Sequence, residues 1–243
     1  MNRDAPLLTR RYGTPTPEAE PQPLTIGRTS LLWQAGTVRR LCFDGIEILR
    51  GLSMVIRDAV WGTHRLAPIA SYCHPEPKAI RLGQESRLSD ANGPVLNAAM
   101  ALSISETRLE ACLHLTAEQP FDTCRSGLVV LLPLAPVVGR TATVVHDDGS
   151  TQTGRFEERI SPAQPFFSIR RLSLAPTPNI AMTLDFQGDV FEMEDQRNWS
   201  DASFKIYNRP LAWPSPYRLA GGECIEQRIT LTVAPEPQGP HHD

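Results

Sequence analysis

From residue 24 onward the chain alternates apolar and polar side chains in short runs broken by turn residues. Residues 95–105 put Leu96, Ala98, Met100, Leu102 and Ile104 on one face. Residues 108–116 do the same with Leu109, Ala111, Leu113 and Leu115, leaving Glu110, Cys112, His114 and Thr116 opposite. A period of two marks a strand with one face on a core. The last such run groups Ile225, Gln227, Ile229, Leu231 and Val233. Residues 128–138 are apolar on both parities, which predicts a strand buried on both faces and interrupted by Pro133 and Pro136.

The turn signals agree with this pattern. Asp44-Gly45 lies between two β-like runs, and a type I′ hairpin turn needs positive φ at both central residues. Asp147-Asp148-Gly149 is a second such signal. Residues 64–92 show no readable period, and His64 and His74 read there as surface-loop histidines. No segment sustains an apolar period of 3.6 over a helix-length window. The expected fold is all-β, a large two-sheet antiparallel β-sandwich. The expected organisation is a flexible Pro-rich arm over 1–23, a single sandwich domain over 24–234 and a disordered polar tail over 235–243.

Composition narrows the function classes. The chain has 243 residues, 41% hydrophobic and 21% charged, with a net charge of -3. That balance gives no basis for nucleic acid or an anionic membrane as partner. No apolar run reaches the roughly 18–20 residues that span a bilayer, and the N-terminus has no secretory h-region. The 5 cysteines, at 42, 73, 112, 124 and 224, are scattered and lack CxxC spacing. They read as reduced structural thiols, which points to the cytoplasm and away from a zinc site. No metal or other cofactor is expected. GxSxG, P-loop and HExxH motifs are absent.

Residues 191–207 concentrate the chemistry. Glu192, Glu194, Asp195 and Asp201 supply carboxylates, Arg197 and Lys205 supply cations, and Asn198, Trp199 and Ser203 add hydrogen-bonding groups and an aromatic face. Phe191 and Met193 continue the apolar face of a strand, so Glu192 and Glu194 point the other way. Such a run suits a binding or catalytic surface, or a structural corner held by ion pairs. Arg57 and Asp58 beside Trp61 carry the same two readings, as does His114: solvated strand face or cleft.

The run from Glu192 to Lys205, followed by Arg209-Pro210 and Pro216-Tyr217, resembles the N-terminal region of the bacterial D-apionate lactonase family. Residues 47–51, 55–58, 61–63, 125–130, 146–149 and 160–166 resemble it too, in order. The resemblance implies a sandwich that a barrel-like domain follows in the family and that this chain lacks. It also implies a His before the proline of the buried strand, where this chain has Leu132. The function implied is hydrolysis or binding of a sugar lactone. Glu192, Glu194, Asp195 or Asp201 would then be the base, and Arg197 or Lys205 would contact an oxyanion or carboxylate. Asn198, Trp199, Ser203, Arg57, Asp58, Trp61 and Arg125 would contact substrate. The alternative is a non-catalytic carbohydrate-binding or interaction module that partners a separate catalytic barrel. The expected partners are a small sugar acid or sugar lactone, and a separate barrel protein or a second copy.

Overall fold

The structure, a computed structural model, describes residues 5–13, 15 and 17–235. The expected polar tail lies outside the described residues beyond Pro235. The strands are β1 (Gln22–Ile26), β2 (Thr29–Gln34), β3 (Thr37–Phe43), β4 (Ile46–Ile56), β5 (Ala67–Pro75) and β6 (Ile80–Asp90). Then come β7 (Gly93–Ile104), β8 (Arg108–Ala117), β9 (Phe121–Thr123), β10 (Ser126–Pro133), β11 (Thr141–His146) and β12 (Thr151–Arg155). The last are β13 (Ile169–Thr177), β14 (Ile180–Gln187), β15 (Phe191–Asp195), β16 (Ser203–Asn208), β17 (Tyr217–Leu219) and β18 (Cys224–Pro235). Two short helices, α1 (Ala5–Tyr12) in the N-terminal arm and α2 (Leu134–Val137), complete the list with a 3₁₀ turn over Gln196–Trp199.

The all-β sandwich is present, and its layers are continuous with each other. One antiparallel path runs β1-β2-β3-β4-β10-β16-β15-β13-β14-β18-β8-β7-β6-β5, with the β11–β12 hairpin attached to β13. The sheet curls so that β10 packs across the core against β18 and β8. A small β17–β9 sheet stands apart. The core is filled by the alternating positions the sequence marks: Leu128, Val130 and Leu132 of β10, Phe204 and Ile206 of β16, and Leu109 to Leu115 of β8. Both hairpin signals hold: Asp44 and Gly45 have φ of 50° and 76°, and Gly149 has φ of 82°.

The unreadable stretch contains β5 and β6. Strand β5 is exposed at eight of its nine positions, so it has no apolar side to show in sequence. Strand β6 spends inward positions on Gln84 and Ser86, which hydrogen-bond to each other at 3.0 Å.

One buried polar knot fixes β10 in place. The Asn208 amide donates to the Ser126 carbonyl at 3.0 Å and to Asp189 at 2.8 Å. The Leu128 amide donates to Gln227 Oε1 at 2.7 Å. Gly127 threads between these two side-chain amides, and a Cβ there would collide with both. The knot joins β10 and β16 to β18, and so holds the strands that carry the chemistry described next.

Candidate functional site

Strands β4, β10, β16 and β15 are consecutive neighbours, and their register builds one polar face opposite the core. Glu194 stands across from Lys205, and Lys205 across from Leu131. Glu192 stands across from Tyr207, Tyr207 across from Val129, and Val129 across from Ser53. Just beyond, the Arg57 amide donates to the Arg125 carbonyl at 2.7 Å, which brings these two arginines to the same end. Period-two alternation therefore gathers Glu192, Glu194, Lys205, Tyr207, Arg125 and Arg57 from segments nearly 150 residues apart.

Glu192 is 1% exposed. Its Oε1 accepts from the Tyr207 hydroxyl at 2.7 Å, the Gln164 amide at 2.8 Å and the Leu211 backbone N–H at 2.8 Å. Burial, then the bond to Glu192, pushes the Tyr207 phenol well above its ordinary value, so it stays a donor. Glu194 accepts from Lys205 Nζ at 3.0 Å and from the Trp199 indole at 2.5 Å. Burial pulls the Lys205 ammonium below its usual value; Glu194 opposes this, while Arg125 and Arg57 add to it.

Arg125 is the unusual member. It is 6% exposed, and its guanidinium carbon lies 3.7 Å from the Tyr207 ring centre and 5.3 Å from that of Trp61. Among the described residues its Nε and Nη2 are buried without a well-formed hydrogen bond, and the nearby Tyr207 hydroxyl, Glu194 and Glu192 favour its charge. Desolvation pulls its pKa down. Arg57 donates to the Trp61 carbonyl at 3.1 Å and to the Thr63 hydroxyl, while its own Nε is buried and unpartnered.

The other nominated residues separate from this face. Asp195, 2% exposed, takes a two-pronged grip from Arg197: Nε to Oδ1 at 2.9 Å and Nη2 to Oδ2 at 2.8 Å. Arg197 also donates to the carbonyls of Glu157, Glu158 and Arg159, and Asn198 to that of Ser161. The Ser161 amide returns a bond to Asp195 at 3.2 Å. These residues stitch the 157–161 loop to the end of β15. Burial alone would raise Asp195; the Arg197 hydrogen bond and the two backbone amides outweigh it and hold the carboxyl below its ordinary value. Asp201 is exposed and accepts from the buried Ser203 hydroxyl at 3.1 Å. Asp58 caps its own loop, accepting from the Val60 and Gly62 amides at 2.8 and 2.7 Å. His114 is exposed on the outer face of β8, away from all of these.

Tyr207, Gln164 and the Leu211 amide belong to the face but were not among the nominated residues. Tyr207 was recoverable, since it lies two residues after Lys205 and so on the same side of its strand. Gln164 and Leu211 carry no local signal.

A family model described as D-apionate lactonase, N-terminal domain, matches residues 9–236. The D-apionate lactonase of Brucella anthropi is 34% identical over 225 residues, covering 92% of this chain and 37% of that protein. The chain thus spans little more than a third of that relative's length. Among solved structures, a protein of Synechocystis sp. PCC 6803 superposes with a TM-score of 0.58 at 11% identity, covering 90% of this chain and 98% of its own. A galactose mutarotase-like protein of Lactobacillus casei gives 0.54 at 10% identity, covering 88% and 100%. At these identities the structural likeness concerns the fold alone.

Proposed function

This chain belongs to the D-apionate lactonase N-terminal domain family, and on that premise we propose that it binds a sugar acid or sugar lactone on the β4-β10-β16-β15 face without hydrolysing it. The observation that carries this reading is the state of the carboxylates. Glu192, Glu194 and Asp195 each accept two or more hydrogen bonds from fixed donors on the protein. These carboxylates are engaged in positioning neighbours, which suits a preorganised binding surface better than water activation. Lys205 and Arg125 supply donors for hydroxyls and carbonyl oxygens, and Trp61 and Trp199 supply flat apolar faces for a ring.

Calorimetry and a pH-stat test this together. Titration with D-apionate or its lactone is expected to give saturable heat, and the pH-stat no lactone opening above the buffer rate. Catalysed opening that Glu194→Gln abolishes would replace this reading with a hydrolase.

A second reading draws on a different observation. Large apolar side chains ring the face: Val60 is 81% exposed, Trp199 72% and Leu211 51%. Apolar groups in this arrangement suit a protein interface. On this reading the rim docks a separate catalytic polypeptide over the bound sugar. Hydrogen exchange tests it on mixing with the part of the Brucella lactonase outside the matched segment. Protection at 60–61, 199 and 211 supports docking, and unchanged exchange there rules it out.

A further inference from the structure

Among the described residues, three arginines grip both oxygens of a carboxylate through the same two nitrogens. Arg28 grips Asp44 with Nε at 2.7 Å and with Nη2. Arg218 grips Asp122 with Nε at 2.8 Å and Nη2 at 2.7 Å. Arg197 grips Asp195 in the same way. These nitrogens form the side-on fork of the guanidinium, whose spacing matches the two oxygens of a carboxylate. In Arg125 these same two nitrogens lack a partner among the described residues, and this arginine, unlike Arg28 and Arg218, is buried. A buried unpaired donor is costly, and a buried unpaired cation more so.

The charges around it point the same way. Glu192 and Glu194 act on Arg125, and Glu194, Arg125 and Arg57 act on Lys205. Among these five groups three cations face two carboxylates. Glu194 is already committed to Lys205 and Trp199, and Glu192 to Tyr207, Gln164 and Leu211. Neither holds the fork.

We infer that Arg125 is the seat of a ligand carboxylate, so that the site selects the ring-opened sugar acid over its neutral lactone. This rests on the sugar-binding reading and adds the form of the sugar. A monocarboxylate fills the fork and neutralises the guanidinium; a lactone carbonyl offers one neutral acceptor and neutralises nothing. Because both nitrogens are buried, a neighbour must move to admit the ligand. Tyr207 is fully buried and tied to Glu192. Trp61 is 44% exposed, sits in the short loop after β4 and has a φ of 70°, which side-chain-bearing residues rarely adopt. Trp61 is the side chain that swings, and it then covers the seated acid.

The test is calorimetric titration with an aldonate, the lactone of the same sugar, and glycerate as a minimal hydroxy acid. Wild type and Arg125→Lys are compared, with folding checked by melting. Arg125→Lys keeps the charge and removes the fork. The expected result is roughly 10-fold or more preference for the aldonate over the lactone in wild type, reduced severalfold in the variant, which keeps the charge and loses the fork. The Arg125 Nε–H resonance of wild type, which needs no variant, is expected to shift with the acids and stay still with the lactone. Equal binding of aldonate and lactone overturns the carboxylate seat and leaves the sugar reading standing. Binding of glycerate alone, with the resonance shift, keeps the seat and sinks the sugar reading. Binding of none of the three sinks both.

Discussion

Arg197 and Arg125 are built alike and used differently. Each lays its guanidinium against an aromatic ring of β16, Phe204 at 5.1 Å for Arg197 and Tyr207 at 3.7 Å for Arg125. Each stands at an end of the same four-strand unit. Arg197 finds its carboxylate two residues away in Asp195 and spends its remaining donors on three loop carbonyls. Arg125 finds none. The satisfied arginine ties the scaffold together, and the other keeps its fork unfilled among the described residues. Chemistry-bearing residues in a motif thus divide by whether the protein itself completes their hydrogen bonds.

The sharpest way to break this comparison is to remove the internal partner. Asp195→Ala leaves Arg197 sheltered and uncompensated, which costs about 3–5 kcal/mol for a buried pair. At this chain length that is a fall in melting temperature of roughly 6–20 °C by calorimetry. Acid should reproduce the loss. Asp195 has a depressed folded-state pKa, so its stabilisation is complete above the unfolded carboxylate value of about 3.9. It is lost as pH drops through the lower folded value. Melting curves of wild type and Asp195→Asn should therefore stay apart by a constant gap above about pH 4 and converge as pH falls below it. Arg125→Met makes the opposite case: removing an unpartnered buried cation should shift stability by less than about 1 kcal/mol, or raise it, while abolishing acid binding. A large destabilisation by Arg125→Met would mean that this arginine is scaffold too. The smallest effect belongs to Trp199→Ala. Its ring is mostly exposed, so a melting shift under about 2 °C is expected alongside weaker sugar binding.

Much of the fold was legible because alternation and turn chemistry are local. Strands β7, β8, β10 and β18 and both Asp-Gly turns lie where their patterns put them. Strands β5 and β6 escaped for physical reasons. The first buries almost nothing, and the second has polar side chains at core-facing positions. The candidate site was half legible. Residues 191–207 stood out by density of charge, and alternation placed Glu192 and Glu194 on one side. What sequence withholds is register. Nothing local says that Arg125 reaches the Tyr207 ring, or that Gln164 crosses to Glu192. Nor could it divide the motif into Asp195, Arg197 and Asn198 as a loop clamp and Glu192, Glu194 and Lys205 as a face, because both roles use the same residue types.

The most direct measurement is a crystal structure of the protein soaked with D-apionate. The account predicts its carboxylate bidentate on Nε and Nη2 of Arg125, with Trp61 displaced from its present position and the Asp195–Arg197 pair unchanged. A carboxylate bound elsewhere, or the Arg125 fork still unfilled at saturating ligand, would contradict it.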